Sequence, residues 1–184
     1  MKFKKFKFKK VKSTNNTAIR IIKKTNYNLG MVTAETQKKG RGQYGRKWIS
    51  LKGNLFVSFF NEINKKNLSI SYITEINCLL VKKLLSKFTE KKILFKKPND
   101  LLIDEKKISG ILQEIISISD KSFLIIGIGI NLIKSPKIKN YPTINLYELT
   151  DKFINKKNFE NDLKEAFEKN LSKLYKTNYK MSWI

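Results

Sequence analysis

The chain has 184 residues, of which 39 are lysine or arginine and 15 are aspartate or glutamate, so its formal net charge is +24. Hydrophobic residues make up 41% of the chain, which is enough for one globular domain with a sizeable core. Its single cysteine, Cys78, excludes an internal disulfide, the absence of histidine excludes a Cys/His zinc cluster, and no apolar run is long enough for a transmembrane helix.

The first half of the chain predicts strands around one helix. Phenylalanines spaced among the lysines of residues 3–11 predict a strand. Ser13-Thr14-Asn15 is typical of a helix cap, and apolar residues at helical spacing follow it. β-branched residues then predict strands on both sides of a glycine-rich loop, at residues 30–36 and 54–60.

The second half predicts two amphipathic helices, at residues 69–88 and 157–176. Cys78 falls on the apolar side of the first and is expected in the core. Asp120-Lys121 predicts the turn of an antiparallel hairpin, and Pro136 and Pro142 bracket an irregular connection. Strands are expected at 93–96, 100–104, 107–118 and 122–131. The predicted fold class is α+β, with a mixed, mostly antiparallel sheet and helices packed on it, in a single domain of residues 1–184.

Two of the three arginines lie in one loop, Gly40-Arg41-Gly42-Gln43-Tyr44-Gly45-Arg46. Nearly all other cationic residues of the chain are lysine. Arginine at these positions therefore suggests bidentate binding of a phosphate or carboxylate by the planar guanidinium. Glycine allows tight turning and close approach of backbone N–H groups to an anion. The loop is therefore predicted to bind an anion.

Four segments, taken together with Ser13-Thr14-Asn15, resemble the biotin protein ligases. They are QKKGRGQYGRKW at 37–48, KKPND at 96–100, KISGILQE at 107–114 and GIGIN at 127–131. The resemblance spans residues 13–131. It implies the class II aminoacyl-tRNA synthetase-like fold of the biotin and lipoyl ligases. It also implies formation of biotinyl-5′-AMP from biotin and ATP with Mg²⁺, followed by transfer of biotin to a lysine of a biotin carboxyl carrier protein, such as that of acetyl-CoA carboxylase.

The resemblance also implies roles for individual residues. Lys107, Arg41 and Arg46 are the expected catalytic cations. The expected biotin-binding residues are Ser13, Thr14, Asn15, Gln37, Gly40, Arg41, Lys107, Gly110, Gly127 and Gly129. The expected ATP-binding residues are Arg46, Trp48, Asn99, Asp100 and Asn131, with no protein-held metal. Trp48 is a candidate platform for adenine, although a core tryptophan is the alternative, and the glycines of GIGIN either receive a ligand or serve sheet packing.

Two residues depart from the family pattern. Gln43 stands where the family usually has arginine, which removes one cation and the natural partner of Asp100. We expect the adenylate to leak more readily as a result. Lys97 replaces the tryptophan before Pro-Asn-Asp, which is expected to alter packing rather than chemistry. The glycine loop itself is expected to be mobile until biotin or the adenylate binds.

About a dozen residues precede Ser13 and the chain ends at Trp183-Ile184. From this we expect neither an N-terminal DNA-binding domain nor the C-terminal SH3-like domain, no specific DNA binding, and no membrane association. A homodimer partner could substitute for the missing surface. The lone cysteine favours a cytoplasmic location. Two alternatives stay open: a lipoate–protein ligase with the same fold, and a lysine-rich, non-catalytic nucleic-acid-binding module.

Overall fold

A seven-stranded sheet forms the centre of the computed structural model, which describes residues 2–63 and 69–174. In chain order the strands are β1 (Lys4–Val11), β2 (Leu29–Gln37), β3 (Gly40–Arg41), β4 (Lys47–Trp48), β5 (Leu55–Ile63), β6 (Ile93–Lys96), β7 (Asp100–Ile103), β8 (Lys106–Ile118) and β9 (Lys121–Ile130). The large sheet runs β1-β2-β5-β9-β8-β7-β6, and β3 pairs with β4 separately. Only β1 and β2 are parallel within the large sheet, so the predicted mixed, mostly antiparallel α+β fold is confirmed.

The helices are α1 (Thr14–Lys24), α2 (Ile70–Leu85), α3 (Leu146–Thr150) and α4 (Lys156–Leu174). The sequence predicts α1, α2 and α4, while α3 lies in the connection that was expected to be irregular. Residues 175 and 176 of the last predicted helix lie outside the described residues. Within the described part of the chain, no helix is both long and apolar enough to span a bilayer.

Hydrophobic residues pack on both faces of the sheet. The larger core holds α2 and α4 against one face, where Phe59 stacks on Phe167 with ring centroids 4.3 Å apart. Cys78 is fully buried in this core, as predicted, and burial raises the pKa of its thiol to about 12. The smaller core holds α1 against the other face through Ala18, Ile22 and their neighbours.

On the face of the sheet that packs against α1, the strands carry glycines toward one end. Because side chains alternate along a strand, Phe123, Ile125, Gly127 and Gly129 of β9 share this face. The first two pack in the α1 core. The two glycines leave a hollow beside that core, and Gly110 of β8 pairs with Gly129 at its floor.

A bulge in β8 turns Lys107 toward this hollow. Leu101 pairs with Ser109, yet Leu102 pairs with Lys107, so Ile108 is an extra residue opposite β7. Without the bulge, Lys107 and Gly110 would face opposite sides of the sheet, since they are three residues apart. With it, the Lys107 side chain lies over Gly110, within 3.0 Å of where a Cβ would be.

Candidate functional site

A cavity of about 820 Å³ opens above the glycines of β8 and β9. Its walls come from the start of α1, the β3–β4 hairpin, the turn between β6 and β7, and the segment 138–141. Two of the fifteen residues that the sequence assigns to the site, Gly40 and Asn131, do not line the cavity. The other thirteen do: Ser13, Thr14, Asn15, Gln37, Arg41, Arg46, Trp48, Asn99, Asp100, Lys107, Gly110, Gly127 and Gly129.

One carboxylate and two aromatic rings hold Lys107 at the cavity. Its Nζ lies 2.7 Å from Asp100 Oδ1. The same atom lies 5.3 Å from the ring centroid of Trp48 and 5.4 Å from that of Tyr141. The side chain is only 17% exposed, so Lys107 is not the solvated turn lysine that its neighbours Glu105 and Lys106 would suggest. It is a fixed cation beside the space for an anion.

Tyr141 is a site residue that the sequence analysis missed. Its hydroxyl donates a hydrogen bond to Asp100 Oδ2 at 2.7 Å. Burial and this hydrogen bond raise the pKa of Tyr141 to about 12, so the hydroxyl remains a donor at any physiological pH. No motif marks this residue, since it stands in the aperiodic connection before Pro142. The Asp100 carboxylate therefore has two partners, Lys107 and Tyr141, although Gln43 replaces the arginine that the resemblance gives as its natural partner.

The glycine-rich loop folds into a small hairpin. Gly40 and Arg41 pair with Trp48 and Lys47, and a turn at Gln43–Gly45, with Tyr44 in the left-handed region at a φ of 54°, closes the end. The Gly42 N–H donates to the Arg46 carbonyl at 2.7 Å, so this N–H is used within the loop, whereas the sequence predicted that it would be exposed to an anion. The side chains of Arg41, Gln43 and Arg46 line the cavity.

Arg41 is tied to the sheet by Glu114. The guanidinium Nη2 forms an ion pair with Glu114 Oε2, which also accepts a hydrogen bond from Asn15 Nδ2 at 2.7 Å. The Asn15 Oδ1 in turn accepts from the Ser58 hydroxyl at 2.5 Å. Glu114 therefore connects the loop, the start of α1 and β5, a role that the sequence did not assign to it.

The start of α1 is bonded differently from a standard cap. Ser13 occupies the N-cap position, but its side chain makes no capping hydrogen bond, which corrects that expectation. The backbone N–H and the hydroxyl of Thr14 instead donate to Gln37 Oε1, at 2.8 and 3.2 Å. Gln37 Nε2 donates to the Ser50 hydroxyl at 3.1 Å. Ser13, Thr14 and Gln37 thus form one polar wall.

The side chains of Asn15 and Trp48 occupy part of the hollow, directly over the three sheet glycines. A Cβ on Gly127 would overlap the Asn15 carboxamide, and one on Gly129 would overlap the Trp48 indole. A Cβ on Gly110 would lie 2.9 Å from Trp48 Cζ3. The glycines therefore admit Asn15 and Trp48 over the sheet, where the sequence analysis had offered a ligand or sheet packing.

Trp48 and Asn99 both line the cavity. Trp48 is half-buried rather than a core residue, and its buried Nε1 has no hydrogen-bond partner among the described residues. Asn99 lies in the turn between β6 and β7, and its Nδ2 donates to the Ile111 carbonyl at 2.7 Å.

Asn131 and Gly40 lie behind the cavity wall. Asn131 is 1% exposed, and its Nδ2 donates to the carbonyls of Lys107 and Ile144, at 3.3 and 3.1 Å. This differs from the predicted contact with nucleotide, because the donors are used to hold the backbone of Lys107. Gly40 is buried where a Cβ would lie 2.5 Å from the Trp48 carbonyl oxygen, so it serves the close pairing of the hairpin.

The cavity is strongly cationic. Among its lining residues Asp100 is the single carboxylate, and the cations are Arg41, Arg46, Lys47, Lys96, Lys97, Lys107 and Lys139. No group of three His, Cys, Asp or Glu side chains suited to a metal ion occurs in the described ranges. This charge distribution suits a ligand with several negative charges, such as a polyphosphate beside a carboxylate.

Comparisons with known proteins identify the family of the chain. Residues 7–131, about two thirds of the chain, match the model of the biotin/lipoate A/B protein ligase family. The bifunctional ligase/repressor BirA of Escherichia coli K12 is 35% identical over 101 residues, which are 54% of this chain and 32% of that protein. The chain thus spans about a third of that relative's length.

Solved structures share the fold. The biotin protein ligase from Aquifex aeolicus in complex with biotin and ATP matches with a TM-score of 0.78 at 33% identity, over 94% of this chain and 72% of that one. The Leishmania major enzyme in complex with biotinyl-5-AMP matches with a TM-score of 0.72 at 22% identity, over 98% of this chain and 84% of that one, and shows likeness of fold. The chain therefore belongs to the biotin/lipoate A/B protein ligase family and has the fold of the biotin protein ligase catalytic core.

Proposed function

We propose that this chain is a biotin–[biotin carboxyl carrier protein] ligase that works in two steps. In the first, a carboxylate oxygen of biotin attacks the α-phosphorus of ATP, forming biotinyl-5′-AMP and releasing pyrophosphate. In the second, the ε-amine of a carrier lysine attacks the biotinyl carbonyl carbon, forming an amide and releasing AMP. The observation that carries the proposal is Lys107, a partly desolvated cation fixed in a cavity with six other cationic side chains.

Bringing a carboxylate to a triphosphate requires fixed positive charge, because electrostatic stabilisation dominates such reactions. Lys107 is assigned to the carboxylate and the α-phosphate, and its ion pair with Asp100 keeps it in position before they arrive. Arg41 and Arg46 are assigned to the phosphates and the adenylate. Arg41 would then exchange Glu114 for a substrate oxygen, or share its five donors between them.

The polar wall at the start of α1 is assigned to biotin. The ureido ring of biotin offers one carbonyl acceptor and two N–H donors, and Ser13, Thr14, Asn15 and Gln37 supply groups of both kinds. The Ser13 hydroxyl is buried and makes no capping bond, so it remains available to a ligand. The glycines assigned to biotin by resemblance act through the side chains above them.

A second group of cavity-lining residues is assigned to ATP. The Trp48 ring can stack on adenine, and Asn99 and Asp100 also line the cavity. Asn131 contributes by holding the backbone of Lys107. Mg²⁺ is expected to arrive as part of the ATP substrate, because the one carboxylate that lines the cavity already binds Lys107 and Tyr141.

The acceptor is proposed to be the carrier domain of acetyl-CoA carboxylase or a similar biotin enzyme. A net charge of +24 would raise the rate of encounter with an acidic carrier domain. The reaction is expected to take place in the cytoplasm.

Replacing Lys107 tests the proposal directly. Lys107→Gln removes the cation and keeps much of the side chain, so we expect biotin-dependent pyrophosphate release from ATP to fall by about 10²–10³-fold. Lys106→Gln, an exposed neighbour on the same strand, is the matched control and should keep the wild-type rate. Near-normal pyrophosphate release by Lys107→Gln, or none by the wild type, would contradict the assignment.

The alternatives predict different ligands. A lipoate–protein ligase would bind lipoate in preference to biotin, and competition between the two at equal concentration separates these functions. A non-catalytic nucleic-acid-binding module would bind RNA in a salt-sensitive way and release no pyrophosphate with either acid.

A further inference from the structure

We propose that Tyr141 is a positioning residue for Lys107: its hydroxyl fixes the Asp100 carboxylate, which in turn holds the Lys107 ammonium where the reaction occurs. This role rests on the proposed function of the cavity. Tyr141 belongs to none of the motifs, and it reaches the site from the connection that follows β9.

The two oxygens of Asp100 have separate partners. Oδ2 accepts the Tyr141 hydroxyl at 2.7 Å, and Oδ1 lies 2.7 Å from Lys107 Nζ. Asp100 is 7% exposed, so few water molecules can compete for either oxygen. A buried carboxylate with both oxygens engaged cannot rotate without losing a charge-assisted contact. The Tyr141 hydroxyl therefore determines the direction in which Asp100 presents Oδ1 to Lys107.

The Tyr141 ring also restricts Lys107. Its centroid is 5.4 Å from Lys107 Nζ, and the centroid of the Trp48 ring is 5.3 Å from the same atom. Each ring face attracts the ammonium by a cation–π interaction. Lys96 Nζ lies 5.2 Å from the same Tyr141 ring. The ring therefore lies near two of the cavity's cations, and its hydroxyl bonds to Asp100.

The residues that follow Tyr141 hold the Lys107 backbone. The bulge at Ile108 interrupts the regular ladder between β7 and β8 next to Lys107. The Lys107 N–H instead donates to the Pro142 carbonyl at 2.9 Å, and the Ile144 N–H donates to the Lys107 carbonyl at 3.0 Å. One short segment thus restrains Lys107 at its backbone and, through Tyr141, at its ammonium.

Tyr141→Phe isolates the hydroxyl, since it keeps the ring and its cation–π contact. We expect single-turnover pyrophosphate release to slow about tenfold, which corresponds to one hydrogen bond of about 1.4 kcal/mol. The KM for biotin should stay within twofold, because the assigned biotin wall is untouched. Tyr147→Phe, on α3 outside the cavity, is the matched control and should behave as the wild type.

A double-mutant cycle distinguishes an effect of Tyr141 that acts through Lys107 from an effect on the site that does not depend on Lys107. If Tyr141 acts through Lys107, Tyr141→Phe should cost less than twofold in a Lys107→Gln background. A tenfold loss in both backgrounds would overturn the proposal, as would a wild-type rate for Tyr141→Phe alone.

A measurement without substrates separates this inference from the proposed function. Acylation of Lys107 by an amine-reactive reagent, followed by peptide mass spectrometry, should be at least threefold faster in Tyr141→Phe, because the less restrained side chain leaves its ion pair more often and its deprotonated amine, the form that attacks, then reaches the reagent. Acylation of exposed Lys106 should be unchanged. Equal acylation of Lys107 in both proteins would overturn the inference, whereas a wild type that releases no pyrophosphate would overturn the function alone.

Discussion

The contacts of Asp100 change the interpretation of Gln43, the residue of the glycine-rich loop that departs from the family pattern. The sequence suggests that Gln43 leaves this carboxylate without a natural partner, but Lys107 and Tyr141 both bind it. An arginine at position 43 is therefore not needed to neutralise Asp100. What Gln43 removes is a cation at the cavity wall, next to Arg41, which is itself paired with Glu114.

The missing cation should shorten the lifetime of bound adenylate. Restoring it with Gln43→Arg adds one charge-assisted contact to the intermediate, so we expect labelled biotinyl-5′-AMP to dissociate about tenfold more slowly than from the wild type. Filter retention over time measures this directly. Gln43→Met, which is neutral and of similar length, is the control and should match the wild type. Equal retention by the arginine variant would contradict the idea.

Among single residues, those that stand in the sequence motifs could be predicted, whereas the residues that hold them in place could not. Lys107, Asp100 and Trp48 stand in segments whose spacing marks them. Tyr141 carries no such mark, and its hydrogen bond exists only because the chain after β9 returns to the Lys107 backbone. The resemblance likewise assigns Asn131 to ATP, whereas in the fold its side-chain amide donates to the carbonyls of Lys107 and Ile144.

Among the elements, those with a clear apolar period were predicted well. The helices α1, α2 and α4 and the long strands lie within a few residues of their predicted bounds. The five-residue α3 is too short to show a helical period. The hairpin turn is Ser119-Asp120, one residue earlier than predicted, because Ser119 adopts a positive φ of 53°. The bulge at Ile108 depends on the partner strand, so no local pattern reveals it.

The β3–β4 hairpin is the element expected to respond to ligand. Its end is closed by the N–H groups of Gly42 and Arg46, and the intervening Tyr44 side chain is 87% exposed. We expect these two amides to exchange at least tenfold more slowly once biotin is bound, because the ligand restrains the loop. Amides of β5 in the sheet centre serve as the control. Equal protection with and without biotin would count against a mobile loop.

For the whole molecule, the packing of α4 on the sheet should dominate stability. Phe167 is fully buried and stacks on Phe59. Phe167→Ala should lower the free energy of unfolding by about 3–5 kcal/mol, since it leaves a cavity in the larger core. Phe153→Ala, at a side chain that is 85% exposed, should change it by no more than about 0.5 kcal/mol.

Urea denaturation followed by circular dichroism measures both variants. Similar midpoints for the two would show that α4 contributes little to the core. At the same scale, the single-domain organisation and the homodimer stay predictions.

The glycines beneath the cavity also determine how its size can be altered. Because the Trp48 indole lies over Gly110 and Gly129, part of the floor of the site is a side chain carried on a two-stranded hairpin. Shortening that side chain would deepen the site toward the sheet, whereas adding a methyl group to either glycine would push the indole outward and make the site shallower. Position 48 is thus the place where a substitution would change the depth of the part of the site that is assigned to adenine.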